Sequence, residues 1–102
     1  MDKIEGNLTI LLDDIRDFSK LSEVSGSVYV RKGATFSAPV LSKCGSVYVS
    51  EGATFSAPVL SEVSGSVYVR KGATFSAPVL SEVSGYVDVR KGATFSAPIA
   101  GS

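Results

Sequence analysis

The sequence has no histidine and a single cysteine, Cys44. A disulfide framework and a Cys/His zinc site are both excluded within one chain. A lone thiol fits a reducing compartment. Net charge is also missing, since ten basic residues cancel ten acidic ones. A zero balance gives no general attraction for nucleic acid or an anionic membrane, and no polyanion character. Long apolar runs are absent too. The run Leu8–Leu12 is interrupted by Thr9 and followed at once by Asp13 and Asp14. That is neither a signal segment nor a membrane span. The expectation is a soluble, cytoplasmic chain with no membrane partner and no cofactor.

What is present repeats. The 102 residues are 44% hydrophobic and 20% charged, a globular composition. Four copies of L-S-E-V-S-G-S-V-Y-V-R-K-G-A-T-F-S-A-P-V occupy residues 21–40, 41–59, 60–79 and 80–99. A degenerate copy precedes them: Gly6-Asn-Leu-Thr-Ile10 stands twenty residues before Gly26-Ser-Val-Tyr-Val30. Residues 1–20 therefore read as a capping coil and residues 100–102 as a short tail.

Within each copy Val28-Tyr29-Val30 and Ala34-Thr35-Phe36-Ser37-Ala38 alternate apolar with polar, the period of half-buried strands. Lys32-Gly33 turns between them, and Pro39 ends the second strand because it cannot donate to a ladder. Two short strands per twenty residues predict an all-β fold: a β-solenoid of about five coils with two short parallel sheets. The expected inward columns are Val24/Cys44/Val63/Val83, Val28/Val47/Val67/Val87, Val30/Val49/Val69/Val89 and Phe36/Phe55/Phe75/Phe95, with Leu21/Leu41/Leu60/Leu80 filling a corner. Cys44 takes a valine's place and behaves as a small buried hydrophobe. At the N-terminus, Leu11, Ile15 and Phe18 fall at helical spacing behind Asp13. That spacing predicts a short helix over about 13–19 as a cap.

The pattern L-x-x-V-x-G-x-V-x-V followed by G-A-x-F-x-A-P resembles the short-period leucine-rich-like repeats of bacterial and phage proteins, relatives of receptor L-domain repeats. The likeness covers residues 21–99 well and 4–20 weakly, with Val and Phe standing where that family often has Leu or Ile. It implies a right-handed solenoid used for binding and brings no catalytic residues with it.

Outward positions also form columns. Tyr29, Tyr48 and Tyr68 stack, with Arg31, Arg70 and Arg90 two residues along on the same face. Tyr and Arg are the types that carry binding hot spots, although strand propensity alone also accounts for such tyrosines. Thr35/Thr54/Thr74/Thr94 and Ser37/Ser56/Ser76/Ser96 make a second array, like the threonine ladders of ice-binding solenoids. The last coil has no evident cap, so Phe95, Pro98, Ile99 and Ala100 form a candidate self-association edge, most simply for a homodimer. No set of residues assembles a general acid and base or a phosphate loop.

The expectation is a non-catalytic module that binds a protein partner, or itself, and is not an enzyme. The alternative is a small phage-type inhibitor that blocks a host defence or nucleic-acid-handling enzyme, and a third reading is ice binding through the Thr/Ser ladder.

The second copy, LSKCGSVYVSE at 41–51, is one residue short. The shortening is expected at the corner after Cys44. Lys43 and Glu51 each reverse the charge found at the same column in the flanking copies. Identical copies would stack like charges, which is unfavourable on a sheet. The odd copy is expected to relieve that.

Overall fold

In a computed structural model, residues 2–14 and 16–98 are described. The alternating stretches form strands as their period demands. β1 (Asp2–Ile4) and β2 (Leu8–Ile10) belong to the first coil. β3 (Leu21–Val24), β4 (Val28–Val30) and β5 (Thr35–Ser37) make the second. Each later coil repeats this triplet. These are β6 (Lys43–Cys44), β7 (Val47–Val49) and β8 (Thr54–Ser56), then β9 (Glu62–Val63), β10 (Val67–Val69) and β11 (Thr74–Ser76), and finally β12 (Glu82–Val83), β13 (Val87–Val89) and β14 (Thr94–Ser96).

All pairings are parallel. The result is an all-β solenoid of about five turns with three sheets. The first sheet runs β1-β3-β6-β9-β12, the second β2-β4-β7-β10-β13, and the third β5-β8-β11-β14. Two sheets were expected from the sequence. The extra one is built from Leu-Ser-Glu-Val and its two-residue equivalents, which are too short to show an alternating pattern.

The core fills the triangle between the sheets. Phe36, Phe55 and Phe75 are fully buried, as are Leu41, Leu60 and Leu80 and the valines of the inner coils. At about 1.5–3 kcal/mol per buried Val, Leu or Phe, this columnar packing is the main source of stability. One coil could not supply it alone. Rings stack along the phenylalanine column, with Phe55 and Phe75 4.9 Å apart and 5° from parallel. Two glycine columns let the coils come this close. A Cβ on Gly45 would lie 2.3 Å from the carbonyl oxygen of Gly26, and Gly52 turns the chain at a φ of 68°.

The register fixes where the second copy is short. Lys43 and Cys44 pair with Glu62 and Val63, nineteen residues on, whereas Val47 pairs with Val67, twenty residues on. The missing residue therefore falls between Cys44 and Val47, at the corner.

The helix expected over 13–19 is not formed; no helix occurs among the described residues, and Ile15 lies outside them. The turns of the later coils persist here. Asp14 donates its N–H to the Leu11 carbonyl at 3.0 Å, as Ala34 does to Arg31 at 2.9 Å, and Leu21 donates to Phe18 as Leu41 does to Ala38. The segment thus follows the solenoid path, with Asp14 and Arg16 in the columns that Ala34 and Phe36 occupy one coil later. A carboxylate and a guanidinium cannot enter an apolar core without large desolvation cost. They pair with each other, Arg16 exposed and Asp14 partly buried, and among the described residues the third sheet has no fifth strand. Phe18 packs on Phe36 instead, 5.1 Å away and tilted by 54°.

Candidate functional site

The second sheet presents the tyrosine row. Strand alternation turns Val28, Val47 and Val67 inward and therefore Tyr29, Tyr48 and Tyr68 outward. The parallel register sets the rings one above another. Tyr29 and Tyr48 lie 4.8 Å apart and 8° from parallel; Tyr48 and Tyr68 lie 4.9 Å apart and 11° from parallel. All three are half-buried. Stacking locks their rotamers, so a partner loses little entropy in ordering them.

Arg31, Arg70 and Arg90 are exposed beyond the strand ends. Arg31 and Arg70 take part in no ion pair among the described residues, whereas Arg90 holds Asp88 at 3.4 Å. Asp88 pairs with Tyr68 in the ladder and ends the aromatic row. The structure therefore gathers Tyr29, Tyr48 and Tyr68 into one row, leaves Arg31 and Arg70 exposed two residues after Tyr29 and Tyr68, and ties Arg90 to an acid.

Tyr86, 77% exposed, replaces the serine of the preceding coils. Sequence reasoning passed over it, although its column was the signal. In earlier coils that position caps the next: Asn7 Oδ1 accepts the Ser27 N–H at 2.9 Å, and Ser46 and Ser66 Oγ accept the N–H groups of Ser66 and Tyr86.

The charge column of the first sheet alternates further than the sequence suggested. Lys3 pairs in register with Glu23, Glu23 with Lys43, and Lys43 with Glu62. Ion pairs form between Lys3 and Glu23 at 3.7 Å and between Lys43 and Glu62 at 3.9 Å. Glu62 then faces Glu82, a like-charge rung. Glu51 joins no ion pair among the described residues, so the expected relief is realised on one column only.

Cys44 is buried, and burial pushes its thiol pKa up to about 12. It is a core residue with no thiolate at neutral pH. The Thr and Ser columns line the outer face of the third sheet over four rungs. At the last coil Phe95 stacks on Phe75 at 5.2 Å and is only partly buried, and Pro98 is exposed. Ile99 and Ala100 lie outside the described residues.

Comparison of the chain with protein-family models, with curated proteins and with solved structures returns no match.

Proposed function

We propose that the chain is a non-catalytic binding module that captures a protein partner on the outer face of its second sheet. The observation that carries this reading is the row of stacked Tyr29, Tyr48 and Tyr68, with Arg31 and Arg70 exposed two residues along and in no ion pair among the described residues. Large amphipathic rings held in one rotamer beside arginine are the usual anchors of protein interfaces. The likeness of residues 21–99 to leucine-rich-like repeats, a family used mainly for binding, supports the same reading. The balanced charge weighs against nucleic acid as the partner.

The test is capture by immobilised protein from the source organism's extract, with the Tyr48→Ala/Arg70→Ala double variant as control. Specific capture lost in the folded double variant supports this face. Capture unchanged in the variant rejects it.

A second reading, self-association through the last coil, is favoured by Val83, Val89 and Phe95, whose inner-coil equivalents are fully buried while they are not. Sedimentation across a concentration series tests it, and a monomer at every concentration rejects it.

A further inference from the structure

Zero net charge does not make the surface even. Each coil after the first passes from the second sheet to the third through one repeated turn. Ala34, Ala53, Ala73 and Ala93 donate to the carbonyls of Arg31, Ser50, Arg70 and Arg90 at 2.9 to 3.0 Å, and the glycine within each turn has a positive φ. The ladder also continues past the strand ends, where Ser50 donates to Val30, Arg70 to Val49 and Arg90 to Val69. One corner of the solenoid therefore stacks the pairs Arg31-Lys32, Ser50-Glu51, Arg70-Lys71 and Arg90-Lys91. All of these residues except Ser50 are exposed.

Six cations share this corner. The acids beside them are Glu51 in the same column, Asp88 two residues before Arg90, and Asp13 one coil before Gly33. With all three counted, an excess of three positive charges remains, and the acids that offset it lie elsewhere on the chain. Of the six cations only Arg90 joins an ion pair among the described residues, with Asp88. Leu11 and Leu12 hold the same columns in the first coil and end the ridge there.

The neighbouring tyrosines bear on which anion fits. Tyr48 has a ring against each face, and Tyr68 has Asp88 beyond it. The row offers bases no run of open faces, which single-stranded nucleic acid uses as its platform. Glu51 also interrupts the ridge, whereas a nucleic-acid backbone is charged without a break. The cationic pairs of the second and fourth coils stand about 10 Å apart, twice the strand spacing. A polyproline II chain returns a side chain to the same side every third residue, about 9.3 Å along. Carboxylates three residues apart thus match the ridge, and uncharged residues between them pass Glu51.

We infer that this corner docks an acidic, extended segment of the partner protein, running along the solenoid axis with carboxylates three residues apart. Guanidinium groups donate to such carboxylates in pairs, a stronger contact than a neutral hydrogen bond. The inference rests on the reading above, that a protein partner docks on this side of the molecule, and gives that partner's chemistry.

The probes are labelled heptapeptides in a Pro/Ser background with two Glu three residues apart, versions with the two Glu adjacent, and Lys-for-Glu versions. A single-stranded oligonucleotide is the fourth probe, and anisotropy at low salt is the readout. The spaced Glu peptide should bind best, and its binding should weaken as salt is added. Lys71→Glu should weaken it about fivefold or more, since an exposed attraction becomes a repulsion. Lys43→Glu makes the same change in net charge on the first sheet and should leave binding within about twofold, as an exposed charge off the ridge contributes little. Glu51→Lys should tighten the adjacent-Glu peptide and erase the preference for spacing. Equal losses in Lys71→Glu and Lys43→Glu, no preference for Glu over Lys or for the spaced pair, or tighter binding of the oligonucleotide would each overturn the inference. Tyr48→Ala separates it from the reading it rests on. Peptide binding kept in Tyr48→Ala and lost in Lys71→Glu supports the ridge and rejects the tyrosine row. Extract capture lost in Tyr48→Ala with no acidic peptide bound keeps the tyrosine row and overturns the ridge.

Discussion

Phe36 and Phe95 stand at opposite ends of one stack of rings, yet Phe36 is completely buried and Phe95 only in part. The difference lies in what covers them. Phe18 lies across Phe36, and the Arg16 guanidinium sits 5.2 Å above the Phe18 ring. No residue described beyond Phe95 plays that part. The first coil seals the core without extending the sheet: charged residues in two inward columns peel the strand away, and an aromatic one column later folds back as the lid. An apolar end is thereby covered, while β5 remains the edge strand of its sheet.

The largest effect expected comes from breaking the stack inside and at its open end. Phe55→Ala should cost about 3–5 kcal/mol, the usual range for a large core deletion. Phe95→Ala should cost about 1–2 kcal/mol, because a half-exposed ring has less apolar area to lose. Urea denaturation of both variants measures the gap, and equal costs would show that Phe95 is covered as well as Phe55.

The lid comes next. Phe18→Ala uncovers Phe36 and should cost about 1.5–3 kcal/mol, the transfer energy of one large apolar side chain. A loss below about 0.5 kcal/mol, within the scatter of surface substitutions, would show that Phe36 needs no cover. The contrast between the two ends would then vanish.

A smaller effect tests the register that both ends share. Lys43→Glu removes the 3.9 Å pair with Glu62 and places four acids in a row from Glu23 to Glu82. The pair is exposed, so the cost should be about 0.2–1 kcal/mol. It should shrink as salt is added. A salt-independent loss would point to packing of the lysine stem instead.

Strand positions, core columns and the tyrosine row were legible because each follows from a period of two inside a period of twenty. The first sheet escaped because Glu62–Val63 and Glu82–Val83 are strands of two residues, too short to show alternation. Lys3 stands twenty residues before Glu23, on the same register as Ile4 and Val24, so its place in the charge column was legible too. The capping segment was misread as a helix because Leu11, Ile15 and Phe18 satisfy helical spacing. Carrying the twenty-residue register through it would have put Asp14 and Arg16 in core columns and announced a broken strand.

The smallest effect concerns the pair that breaks that strand. Asp14 accepts hydrogen bonds from the Arg16 side chain, then from the Arg16 backbone N–H, and these hold its carboxyl well below the usual carboxylate range. Arg16 is raised in turn, by the Asp14 side chain first. The bonded form is the ionised one, and a depressed carboxyl favours folding wherever the unfolded chain's aspartate is also ionised. Its contribution is therefore complete above about pH 4, the ordinary aspartate value, and drains away as pH falls below it. Thermal melts of wild type and Asp14→Asn should differ in favour of wild type at about pH 6 and converge as the pH approaches about 2. The pair lies at the surface, so the gap should be the least of the four. A gap that stayed constant into acid would mean that Asp14 acts through shape alone, and that its charge does not hold the first coil out of the sheet.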